Sequence, residues 1–244
     1  MDLTPEKIVE NWESLLKIIE DNFTGERKTN LLKLYKHFED RILYCPASGK
    51  DFYHGAYPGG YVEHVLNVVY FAMVLDNIWV KEGFVKNYSD ESLIFAALNH
   101  DLGKIGDEEN EYFISHNEKW RKERGEIYIH NDKIRFMEVQ DRSLWLLQDF
   151  GIKVSQSEML AIKLHDGMYS EGNKPYLVAY TEGKQLKDNL PVILHHADMM
   201  ATMIEKSKWS SSKPDPTSPK VTKELKKIKN EKMSEITKQF FNLE

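Results

Sequence analysis

Four residues of this 244-residue chain combine metal-ligating chemistry with apolar surroundings: His64, the adjacent pair His100-Asp101, and Asp198. His64 is bracketed by Val62, Val65 and Leu66, His100-Asp101 follows the run Leu93 to Leu98, and Asp198 lies among Val192, Ile193, Leu194 and Met199. An ionised carboxylate buried without a partner costs several kcal/mol, and a shared divalent cation satisfies two carboxylates and two imidazoles together. Such a mixed nitrogen and oxygen set suits manganese, iron, cobalt, nickel, zinc or magnesium, with positions left for water and substrate oxygens. Water on such an ion has its pKa lowered, to about 7 in the best zinc cases, which supplies hydroxide at neutral pH. Lys104, just past Gly103, can meet a phosphate oxygen as a point charge. The chemistry expected of this set is phosphoester hydrolysis.

The elements that must position these groups read as helical almost throughout. Thr4-Pro5-Glu6 has the form of an N-cap, a first-position proline and a first-turn acid, followed by Ile8, Val9, Trp12, Leu15, Leu16 and Ile19 on one face. Lys28 to Leu43 repeats the pattern, and the chain then breaks at Pro46, Gly49 and Gly55. From Pro58 to about Trp79 the residues are apolar nearly all round, which predicts a central buried helix carrying His64. Ser89-Asp90-Glu91 caps a helix that ends at Gly103, a candidate for the left-handed stop, with His100 and Asp101 in its last turn. Further helices are expected at Ser143 to Phe150, Ser155 to about His165 and Leu190 to about Lys206, with Gly151 and Gly167 as stops. One short hairpin, Glu126-Ile-Tyr-Ile against Ile134-Arg-Phe-Met, is the only β-structure expected, so the fold class is all-α. The organisation predicted is N-terminal helices over 1–45, a core domain over 46–206, a Pro/Ser linker over 207–219 and a Lys-rich amphipathic helix over 220–244.

Composition and charge narrow the function. No run approaches eighteen uninterrupted apolar residues and the first twenty lack both a basic start and an apolar centre, so no membrane partner and a cytoplasmic compartment are expected. The single cysteine, Cys45, can form neither an internal disulfide nor a cysteine-based metal site and reads as a packed thiol. Residues 206–244 carry ten lysines and five acids, which leaves about −11 on the remainder of a chain of net charge −6. An acidic body argues against a broad nucleic-acid-binding face, and it could pair with a basic tail across a homodimer. The pairs Gly49-Lys50, Gly103-Lys104 and Gly183-Lys184 lack the Ser or Thr of a P-loop, and there is no G-x-G-x-x-G, G-x-S-x-G or H-E-x-x-H.

His64, then His100-Asp101 within Leu98-Asn-His-Asp-Leu-Gly-Lys104, then Asp198 in that order resemble the HD superfamily of metal-dependent phosphohydrolases. Tyr57-Pro-Gly-Gly-Tyr-Val-Glu-His64 and His195-His-Ala-Asp198 are most similar to the HD domains of bacterial 3′-to-5′ exoribonucleases and of some conjugative relaxase proteins. The resemblance covers roughly residues 46 to 204. It implies a helical bundle, one or two divalent ions, His64, His100, Asp101 and Asp198 as ligands, phosphate contact by Lys104, and a nucleotide or short single-stranded nucleic acid as substrate. Those nucleases carry an OB-type domain ahead of the HD domain, whereas about fifty helical residues precede it here, which speaks against long RNA.

The remaining histidines and aromatics divide by context. Some HD members hold a second ion, for which His130 and His165 are the candidates, against a histidine in a polar turn and a helix-end histidine meeting the dipole. His195 shares a helix face with Asp198 and is expected at the substrate or packed behind that ligand, so Asp101, Lys104 and His195 form the candidate catalytic set. Lys104, His165, His195 and Tyr57 are the candidate substrate contacts, Tyr57 belonging with Phe52, Tyr53 and Tyr61 to an aromatic run that either stacks a base or packs; His54 shares that choice. Tyr169, Tyr176 and Tyr180 form a lid or an ordinary loop. His196 is expected to be structural, and His37 and His116 to be surface residues. Two other readings compete: a deoxynucleoside triphosphate triphosphohydrolase or 5′-nucleotidase on the same scaffold, and a non-catalytic metal- or nucleotide-binding module.

Overall fold

In the computed structural model, which describes residues 3–178 and 181–212, the Thr4 hydroxyl accepts from the Lys7 amide and opens α1, Pro5–Asn22. Trp12, Leu15 and Ile19 form its buried face. The second stretch of apolar period is two helices, α2 (Gly25–His37) and α3 (Glu39–Tyr44), which break at Phe38. α4, Gly60–Lys81, packs against α1, α3 and α5, the last running Asp90–Asn99 from a Ser89 cap. Val62, Val65, Val68, Val69 and Ala72 of α4 are buried, but Tyr70, Met73 and Ile78 are exposed. The expected all-round burial is therefore corrected: helices cover only part of the circumference of α4, and an apolar stripe stays at the surface.

The β-structure also differs from the expected hairpin. β1 (Phe113–Ser115) pairs antiparallel with β2 (Tyr128–His130) across an excursion that contains the short helix α6, Lys119–Glu123. Ile134–Met137 forms no strand, because the Arg142 guanidinium takes the Arg135 and Met137 carbonyls as acceptors. Arg142 belongs to α7, Val139–Asp149, which begins before Ser143 and packs on the 3₁₀ turn Leu102–Ile105. α8 (Gln156–Leu164) opens with a full Ser155/Glu158 capping box and packs on α5 and α7. The short α9, Lys174–Leu177, precedes α10, Leu190–Ser212.

The described residues are thus all-α with one small strand pair, and those from Leu3 to Lys206 belong to one compact unit. α10 continues as helix through Ser212, beyond the expected start of the linker at 207. The rest of that linker and the Lys-rich segment 220–244 lie outside the described residues. Gly103 is not the left-handed stop: it lies within the 3₁₀ turn, where a Cβ would overlap the Val139 carbonyl oxygen, and the positive φ falls on Gly106. Among the described residues, no helix is long and apolar enough to cross a membrane.

Candidate metal centre

α4, α5, α8 and α10 bring one imidazole or carboxylate after another to a common point. His100 is the C-cap of α5, and its Nδ1–H donates to the Ala97 carbonyl at 2.7 Å. His165, C-cap of α8, repeats the device, donating to Ile162 O at 2.7 Å. His64 lies inside α4 and donates from Nδ1 to the Glu205 carboxylate at 3.0 Å. With Nδ1 protonated, each Nε2 carries the lone pair that a metal requires.

The Nε2 atoms converge on two carboxylates. His64 Nε2 lies 3.2 Å from Asp198 Oδ1 and 3.7 Å from Asp101 Oδ2, and His100 Nε2 lies 3.9 Å and 3.4 Å from the same atoms. Ligands about 2.0–2.2 Å from one ion stand about 2.9–4.4 Å from each other, the range found here. His64 Nε2 and His100 Nε2 are buried and neither makes a hydrogen bond. Two buried ring nitrogens facing two carboxylates fit a cation between them, a ring proton or a metal ion that replaces it. Asp101 reaches this point because it has left the helix, at φ −104° and ψ 11°, so the roughly 100° between neighbouring helical positions does not apply. Its second oxygen, Oδ1, faces His165 Nε2 at 3.6 Å.

The charge balance agrees. Burial opposes the His64 cation, yet Glu205 and Asp198 outweigh it and raise the ring to about 10. Burial likewise opposes His165, which Asp101, Asp166 and Asp198 raise to about 9. Asp101 is held well below the usual carboxylate range against its own burial, by Lys104 and then by His100 and His165. The cluster is a pocket of excess negative charge that calls for positive charge. Lys104 supplies some, its Nζ 2.5 Å from Asp101 Oδ2.

Comparison with family models, with curated proteins and with solved structures finds no match. The chemistry of the site therefore rests on its own residues.

Of the residues expected at the site, His64, His100, Asp101, Lys104, His165 and Asp198 come together around this point. His195 joins them at the wall of a cavity of about 930 Å³, its Nδ1–H donating to the His165 carbonyl at 2.7 Å. His130 lines the same cavity from β2, but it falls outside the groups of ligand atoms that could share an ion. Tyr57 is not part of the cavity wall, and its hydroxyl donates to Glu63 at 2.5 Å. Tyr53 and Tyr169 do line it. His196 donates to the Val192 carbonyl and rests against Trp79, a packing role. His37 is exposed, but His116 is buried and accepts from the Glu118 amide through Nδ1, so the surface assignment is corrected. Cys45 is a buried thiol pushed up to about 12, chiefly by that burial, and is no nucleophile.

Two functional side chains escaped the sequence reading. Glu205 orients His64, and its signal was its place two turns after Asp198 on one face of α10. Asp166, in a second His-Asp pair at a helix end, lines the cavity 3.6 Å from His165 Nε2.

Proposed function

We propose that the chain is a metal-dependent phosphohydrolase of HD type, cleaving a phosphoester of a nucleotide or short nucleic acid. The observation that carries this is the pair of buried, unpartnered Nε2 atoms of His64 and His100 facing Asp101 and Asp198. His64, His100, Asp101 and Asp198 would hold the ion, with His165 facing the second oxygen of Asp101. A divalent ion there supplies Lewis acidity toward a phosphoryl oxygen and a water acidic enough to attack at neutral pH. The chain's own groups do the positioning. Lys104 lies beside Asp101, where its ammonium offsets charge on a bound phosphate, and His195, tied through Nδ1, presents Nε2 as an acceptor or, when protonated, a donor to a phosphoryl or leaving oxygen. Ala97 O, Ile162 O and Glu205 fix the three rings before substrate arrives.

The test is elemental analysis of wild type and His64→Ala after loading with manganese, coupled to hydrolysis of a generic phosphodiester, a deoxynucleoside triphosphate and a 5′-labelled single strand. Metal that is retained by wild type and lost in a folded His64→Ala, with turnover of any of the three, is the expected result. The products separate triphosphatase and nucleotidase activity from release of nucleotides off a chain. A folded wild type that binds no metal and turns over none of the three refutes the proposal.

A further inference from the structure

The wall of the cavity away from the ligand cluster is built by the strand pair. The register sets Phe113 opposite His130 and Ser115 opposite Tyr128, so Phe113, Tyr128 and His130 occupy one face of β1 and β2. All three line the cavity that also holds Asp101, Lys104 and Asp198. The His130 ring is exposed, and Tyr112 backs it at 4.5 Å with 29° between planes. Tyr112 is in turn backed by the Arg142 guanidinium at 4.8 Å. Partial burial, with the Arg142 charge, lowers the His130 pKa. An ordered stack of planar groups thus ends in an imidazole ring that lines the cavity. Lys50 and Glu126, joined by a β-bridge beside these rings, add a donor and an acceptor to the same wall. Planar faces with mixed polar groups alongside match a heteroaromatic base better than an acyl chain or a bare sugar. The cavity volume of about 930 Å³ also suits a mononucleotide-sized ligand.

We propose that the Phe113–Tyr128–His130 face is a nucleobase platform, on which the base of the substrate stacks against His130 while its phosphate lies at the metal centre. This rests on the phosphohydrolase reading for the phosphate end only. His130, a candidate ligand by its residue type, becomes the residue that selects base-bearing phosphoesters.

Adenosine, which has no phosphoester to be cleaved, is the probe, titrated calorimetrically into the manganese-loaded full chain. Wild type is expected to bind it; His130→Ala should weaken binding about 5- to 150-fold, the equivalent of the about 1–3 kcal/mol of base–aromatic stacking. His130→Phe should restore it. Ribose should bind none of the three proteins detectably, and the manganese content of all three should be equal. Absence of adenosine binding by wild type, or unchanged binding in His130→Ala, overturns the platform; so does loss of manganese in His130→Ala, which makes His130 a ligand. His130-dependent adenosine binding in a protein that hydrolyses no phosphoester would leave the platform standing and remove the phosphohydrolase.

Discussion

Replacing Gly167 by alanine should damage the site through His195, and a second glycine provides the control. Gly167 and Gly25 share nearly the same positive φ, +56° and +58°. An L-residue in the left-handed region costs about 1–2 kcal/mol at either position. At Gly25 a new methyl meets nothing within 4 Å, whereas at Gly167 it would stand 2.2 Å from Cε1, 2.5 Å from Nε2 and 2.7 Å from Nδ1 of His195. To regain an ordinary contact of about 3.5 Å the ring must withdraw by about 1.3 Å. That breaks its bond to the His165 carbonyl, at a further cost of about 1–2 kcal/mol. Gly167→Ala should therefore melt about 2–8 °C below Gly25→Ala, using about 2–4 °C per kcal/mol for a chain of this size. A 1 Å displacement of a substrate-positioning group costs about 100-fold in turnover, a loss expected in Gly167→Ala and absent in Gly25→Ala. Thermal melts and hydrolysis rates measured in parallel decide it. Equal melting temperatures together with equal rates would refute the placement of His195.

Glu205→Gln keeps an acceptor near His64 but removes the charge, and should weaken manganese binding about 10- to 100-fold by calorimetry; unchanged affinity would remove Glu205 from the site. In chelated protein, His64 and His165 have folded pKa values of about 10 and about 9 against an ordinary 6.5. Their stabilisation is complete below pH 6.5 and is lost as pH rises through those values, so the chelated melting temperature should fall between pH 6.5 and 10. The rise produced by manganese, which needs the neutral rings, should then be larger at pH 9 than at pH 6, and the opposite trend would contradict the charge balance drawn here. Arg27→Ala strands Glu158, which is buried and keeps only Ser92 and the Ser155 amide, and should cost about 3 kcal/mol in urea unfolding; a loss under 1 kcal/mol would show that the pair does not join α2 to α8.

The parts legible in the sequence are those written in local chemistry. Thr4, Ser89 and Ser155 announce their helices because a cap needs one oxygen at one offset from a free amide. His64, His100, Asp101 and Asp198 stand out because ionisable groups in apolar runs need partners. Other features depend on residues distant in sequence. β1 and β2 are three residues each, too short for a period, and their pairing across α6 has no turn signature. The role of Gly103 is set by how close α7 comes, and a positive φ at Gly106 was not separable from it by composition. The exposed stripe of α4 carries the same residue types as its buried face, so periodicity alone does not tell them apart.

The way the rings are held explains why one of these histidines depends on a side chain for its orientation and the others do not. The last carbonyls of a helix lack intrahelical donors, so a histidine at the C-cap can satisfy one of them with Nδ1–H and thereby project Nε2 beyond the helix end. His100 and His165 both do this through the carbonyl three residues back, and the residue after each is an aspartate already outside the helix. His195 uses the carbonyl of His165 itself, which couples α10 to the end of α8. These three orientations are held by backbone acceptors rather than by another side chain. His64 lies within α4, away from such an end, and takes its acceptor from Glu205, with Asn67 holding the carboxylate at 2.7 Å. His64 is thus the proposed ligand whose tautomer and aim a point mutation elsewhere can release. Loss of metal affinity in Glu205→Gln without loss of fold is the outcome that this division of roles requires.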